Sequence, residues 1–145
     1  MDAPFLSNHD QERVMSQLHD NPGQMRIAAA MLLTLPGQPF IYYGEELGMR
    51  GEKPDPDLRE PMRWTRDPEA AGETRWKTFT AGDGPGITVQ AEQADPHSLL
   101  ARYRELIGWR REISALRDGA FATRPLGNPQ SIAWELSDAQ GDVLV

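Results

Sequence analysis

Hydrophobic and polar positions divide the chain into a helix-and-strand first part, a proline-rich middle and an alternating end. Residues 25–35 are apolar nearly all round, the pattern of a helix packed against a sheet. Asp20-Asn21-Pro22 supplies a capping side chain and a proline for its first turn, and Pro36-Gly37 stops it. Phe40-Ile41-Tyr42-Tyr43 then has the length and aromatic content of a strand, closed by Gly44. Pro4-Phe5-Leu6-Ser7 reads as the end of an earlier short strand. Residues 12–18 follow as a short helix, with Val14, Met15 and Leu18 at helical spacing. Strand, helix and strand together make one βαβ unit.

Residues 44–96 show no sustained period. They hold Pro54, Pro56, Pro61, Pro68 and Pro85, and Trp64 and Trp76 predict an ordered, packed loop. Asp95-Pro96 reads as the opening of a second helix. Leu99, Leu100, Tyr103, Leu106, Ile107 and Arg110 form its stripe, and it ends near Arg111. Arg102, Arg104, Arg110 and Arg111, with Glu105 among them, read as its wet face. Beyond Gly119 the pattern turns to short alternating runs at residues 120–122, 132–136 and 143–145. These predict antiparallel strands and the start of a second domain.

Composition narrows the classes. With 39% apolar and 26% charged residues the chain is globular. A net charge of −7 argues against a nucleic-acid partner, which needs clustered Lys and Arg. The absence of cysteine removes disulfides, thiolate catalysis and Cys-ligated metals. The first residues lack a basic region followed by an apolar run, so no signal peptide is read. The apolar stretch at residues 27–35 is too short to span a bilayer, and no membrane partner is expected. The expectation is a soluble protein, cytoplasmic or secreted.

Three segments carry a resemblance. Phe5-Leu6-Ser7-Asn8-His9-Asp10-Gln11-Glu12-Arg13 places Asn-His-Asp just past a strand. Residues 28–49 hold a helix, a Pro-Gly turn, Phe-Ile-Tyr-Tyr and then Gly-Glu-Glu-Leu-Gly-Met. Asp57-Leu58-Arg59-Glu60-Pro61-Met62-Arg63-Trp64 contains Arg-x-Pro-Met-x-Trp. In this order they resemble the alpha-amylase family of glycoside hydrolases, family 13, closest to its alpha-glucosidase-like branches. The resemblance implies an α/β fold: the last two strands and helices of a (β/α)8 barrel over residues 1–116. The opening of an antiparallel β-sandwich would then occupy residues 117–145. At 145 residues the chain is short of the ~250 that a whole barrel needs.

The resemblance also implies the chemistry. Retaining glycosidases use two carboxyl groups about 5–5.5 Å apart and an oxocarbenium-like transition state. Asp10 would be a third carboxylate that stabilises that state, and His9, Asn8 and Arg59 would bind the sugar. Both tip residues, His9 and Asp10, would leave the C-terminal end of a strand, the active face of a βα barrel. The family's nucleophile and general acid lie upstream of these segments. Thr65-Arg66-Asp67 has no strand before it, and Glu45 and Glu46 match structural positions. The isolated chain is therefore expected to be inactive and to need the upstream part of the barrel as its partner. Its expected substrate is an α-glucan or oligosaccharide; no cofactor and no metal are expected, and no calcium ligand set is evident.

Plainer readings exist for each residue. Asn8-His9-Asp10 alone would be a cap and turn. A metal-dependent phosphoesterase would need more ligands than His19 and His97 offer, and His19-Asp20 reads as a solvated helix end. Tyr42 and Tyr43, on opposite faces of a strand, read as core residues, and Arg59 could pair with its own acidic loop. A non-enzymatic interaction module is the rival from another class; a transglycosylating or trehalose-forming enzyme is the rival within the family.

Overall fold

The computed structural model describes residues 2–77 and 87–145. Among the described residues six α-helices precede three strands: α1 (Val14–Gln17), α2 (Pro22–Thr34), α3 (Asp55–Leu58), α4 (Val89–Ala94), α5 (Leu99–Glu112), α6 (Ser114–Asp118), β1 (Ala120–Arg124), β2 (Ala133–Asp138) and β3 (Gly141–Leu144). A 3₁₀ turn at Glu45–Leu47 follows the tyrosine pair.

The Asn21 side chain caps α2 through the Gln24 N–H at 3.1 Å, and Pro22 occupies its first turn. Met25, Ala29, Leu32 and Leu33 of α2 pack against Tyr103 and Leu106 of α5, with Val14 of α1 beside them. Each fully buried large side chain here contributes about 1.5–3 kcal/mol. Met31 and Leu35, also on α2, reach a second cluster of Ala115, Leu116, Trp134 and Leu136. That contact ties the sheet to the helices. A third cluster, Leu47, Met49 and Leu100, sits under the loop that carries Met62 and Ile87.

The sheet is antiparallel in the order β1-β2-β3, with Ala120 opposite Ser137 and Leu136 opposite Val143. β2 is central and largely buried, whereas β1 is exposed along its whole length. The three alternating runs of the sequence thus become strands.

Several expectations are corrected. The segments around Phe5 and Phe40 meet in one isolated parallel bridge rather than a ladder. The Phe40 N–H donates to Pro4 O at 2.9 Å and the Gln38 N–H to Asp2 O at 2.8 Å. Pro4 and Pro39 have no N–H to extend the pairing. Asp95-Pro96 does not open α5. Ser98 caps it, accepting from the Ala101 N–H at 3.0 Å, while Asp95 closes a preceding turn through the His97 N–H. The middle segment is less irregular than its composition suggests. Thr88 caps α4, in which Val89 alone packs, partly buried, against the Leu47–Met49–Leu100 cluster, so no hydrophobic stripe is left to read. Trp64 and Trp76 are 53% and 74% exposed, so neither packs the loop. Arg110 does not lie on a wet face; it donates to Leu33 O and Leu35 O at the C-terminal end of α2 and to Gly37 O in the turn beyond. Pro85 lies outside the described residues.

Candidate active site

The tip begins at Ser7, which is buried. Its N–H and hydroxyl both donate to Glu45 Oε1, at 3.1 and 2.5 Å. Gly44 adopts φ +85°, a left-handed turn open to glycine, and so swings Glu45 back over the tip. Glu45 is 1% exposed, and burial pushes its carboxyl up to about 7, against the opposing pull of the Ser7 bonds. Beyond Ser7 the chain emerges. Asn8 Oδ1 accepts the Asp10 N–H at 2.9 Å, an Asx turn that fixes the backbone of Asp10. His9 and Asp10 side chains are 64% and 63% exposed and 3.4 Å apart.

Arg59 completes the cluster although it lies 49 residues further along. Its Nε donates to His9 O at 3.0 Å, and its Nη2 bridges Asp10 Oδ1 at 3.1 Å and Asp55 Oδ2 at 3.2 Å. The acidic-loop pairing and the tip pairing thus coexist on one nitrogen. Asp55 is held below the usual carboxylate range, first by a hydrogen bond from Lys53 and then by the charges of Lys53 and Arg59. All four residues singled out from the sequence therefore meet at one exposed tip.

Two residues at this tip, Arg13 and Lys77, escape a sequence reading. Arg13 is fully buried, with its guanidinium carbon 4.6 and 4.7 Å from the ring centres of Tyr42 and Tyr43. Its Nε donates to Leu58 O at 3.1 Å and its Nη1 to Tyr43 O at 2.6 Å. Lys77 bridges Asp57 Oδ1 at 2.6 Å and the buried Glu60 at 3.5 Å, on either side of Arg59. A lone arginine at the start of an apolar run gives no pattern of its own. Tyr42 and Tyr43 are not core: Tyr42 is half-buried and Tyr43 is 38% exposed. Their rings flank the same cation because the bridge is too short to impose strand alternation. Burial, and then the bond with Tyr43, pushes the Tyr42 phenol up to about 12.

His19 and Asp20 take left-handed backbone angles at the exit of α1, and Asp20 pairs with Arg50 at 2.7 Å. Thr65-Arg66-Asp67 lies in an irregular loop, where the Thr65 hydroxyl donates to Asp67 O. Among the described residues no group of three or more His, Asp and Glu is placed to hold a metal. No helix among them is long and apolar enough to cross a membrane. A groove of about 700 Å³ lies at the other end of the bridged segments, lined by Asp2, Gly37, Gln38 and Arg110. None of Asn8, His9, Asp10 or Arg59 borders it.

Comparison with known proteins gives the family of the chain. Alpha-amylase 3 of Dictyoglomus thermophilum is 37% identical over 145 residues, covering 99% of this chain and 29% of the relative. A 4-alpha-glucanotransferase of Thermotoga maritima is 36% identical over 113 residues, 74% of this chain and 25% of the relative. The crystal structure of the alpha-amylase from H.orenii superposes with a TM-score of 0.89 at 40% identity, over 99% of this chain and 29% of that one. The chain thus spans less than a third of the length of each. The family model for the alpha-amylase catalytic domain matches residues 1–119, and the chain belongs to the alpha-amylase family.

Proposed function

We propose that residues 1–116 form the last two β/α units of a (β/α)8 barrel and residues 117–145 the start of an antiparallel β-sandwich. The enzyme they build is a retaining glycoside hydrolase acting on α-glucosidic bonds of oligo- or polysaccharides. The observation that carries this reading is the meeting of Asp10 and Arg59, 3.1 Å apart, on an exposed tip beside His9. An exposed carboxylate and a guanidinium side by side suit a sugar with hydroxyls on adjacent carbons. Asp10 is the transition-state-stabilising carboxylate, because a charge-assisted hydrogen bond that shortens as the sugar flattens accelerates the chemical step. His9 donates to the same sugar, and Arg59 binds it beside Asp10. Asn8, whose side-chain oxygen is already engaged by Asp10 N–H, contributes by holding the tip. The nucleophile and the general acid come from the upstream part of the barrel, so this chain is inactive alone. Transfer in place of hydrolysis is the second reading, favoured by the similarity to a 4-alpha-glucanotransferase.

The test joins the upstream catalytic-domain segment of the Dictyoglomus thermophilum relative to residues 1–145. The chimera is expected to cleave an α-linked glucan with retention, seen as the first product anomer by NMR, while the chain alone gives no turnover. A folded chimera without turnover overturns the reading.

A further inference from the structure

Arg59 is the residue that ends the four-residue helix α3, and its side chain makes three specific hydrogen bonds. A long exposed arginine on a free loop would lose that geometry to rotamer and backbone entropy. The carbonyls on both sides of it are held. Leu58 O accepts from Arg13 Nε at 3.1 Å and from the Tyr42 hydroxyl at 3.3 Å. Glu60 O accepts from the Tyr43 hydroxyl at 2.9 Å. Arg13 also bonds Tyr43 O, and its own N–H donates to Gly51 O at 2.9 Å. Gly51 must be glycine for this approach, since a Cβ there would meet Asp57 O at 2.7 Å. The three holders converge on one point: Arg13 follows the Asn8–Asp10 tip, and its guanidinium carbon lies within 5 Å of both tyrosine ring centres.

We propose that Arg13, seated between Tyr42 and Tyr43, is the positioning residue that fixes the Leu58–Glu60 backbone and thereby sets Arg59 against His9 and Asp10. The cation belongs to the segment that carries Asp10, so the clamp makes the placement of Arg59 depend directly on the placement of the tip. Lysine cannot replace Arg13. A point charge lacks the planar fork needed to bond carbonyls fifteen residues apart in the chain while stacking on two rings. The consequence for sugar binding rests on the function proposed above; the positioning itself does not.

The experiment is NMR on the 145-residue chain, reading the Arg59 Nε–Hε resonance in the wild type, Arg13→Lys, Tyr42→Phe and Tyr43→Phe. In the wild type that proton is protected by its bond to His9 O. Arg13→Lys is expected to speed its exchange about tenfold, the order of losing one hydrogen bond, and to lower its heteronuclear NOE. Amide shifts of β1, β2 and β3 stay unchanged. The two Phe variants, which each remove one hydroxyl, show smaller changes in the same direction and carry the test if Arg13→Lys fails to fold. An Arg59 resonance that is unaltered in every folded variant overturns the proposal. A second arm places Arg13→Lys in the chimera, where KM for the glucan is expected to rise more than kcat falls. Loosening of Arg59 in a chain whose wild-type chimera is inactive leaves the clamp standing and removes the function; the reverse pattern removes the clamp.

Discussion

The interface between α2 and α5 and the tip around Asp10 are built on opposite terms. The first is apolar: Met25, Ala29, Leu33, Tyr103 and Leu106 are each 2% exposed or less. The second is polar: Ser7, Arg13 and Glu45, which hold it from beneath, are buried, while His9 and Asp10, which point outward, are not. Arg13 is fully enclosed and Arg59 half-exposed, although each makes two or more hydrogen bonds. The difference teaches how a tip with a one-bridge sheet stays ordered. Ladder bonds are replaced by side chains that donate to backbone carbonyls, and the exposed groups are left to meet a ligand.

Truncation in the apolar layer has the largest expected effect. Leu106→Ala removes a fully buried side chain and is expected to cost about 2–5 kcal/mol, read as a lower urea midpoint. A shift under about 1 kcal/mol would mean that the layer relaxes around the gap and that the contrast is overstated.

The buried side of the tip sharpens the comparison through pH. Glu45 has its carboxyl raised from 4.5 to about 7 in the folded chain. The folded state therefore holds a proton that the unfolded state has released. Its contribution is fully present below pH 4.5 and is lost as pH rises through 7, on the order of 3 kcal/mol in all. Glu45→Gln should flatten that part of the stability profile, measured by urea denaturation at several pH values. An unchanged profile would show that Glu45 stays ionised in the fold.

The smallest effect is at a cap. Ser98→Ala should lower stability by about 1 kcal/mol, because the Ala101 N–H loses its acceptor. Asp95→Ala should do less, which distinguishes the observed start of α5 from the one suggested by Asp95-Pro96.

The two regions also differ in how far they can be read from sequence. α5 follows from the stripe of Leu100, Tyr103 and Leu106, since burial on one face leaves a period of 3.6, and α2 from an apolar run opened by Asn21-Pro22 and stopped by Pro36-Gly37. β2 is legible from Trp134 and Leu136 alternating with Glu135 and Ser137. The Asn8–Asp10 motif and Arg59 stand out in the sequence only by resemblance, and their meeting is visible only in three dimensions. Arg13 and Lys77 leave no periodic trace, because their partners are carbonyls and carboxylates set by tertiary contact. The tyrosine pair misled for a related reason: period-2 alternation holds only within a ladder, and prolines at 4 and 39 prevent one.

The most direct measurement is kcat/KM of the chimera on an α-linked glucan with and without Asp10→Asn. Asp10 is exposed, so the substitution should leave the urea midpoint where it was. The account predicts that kcat falls by about 10²-fold or more, the order seen when one transition-state partner is removed. Unchanged kcat in a folded variant would contradict it, and would leave the tip a turn with no part in the chemistry.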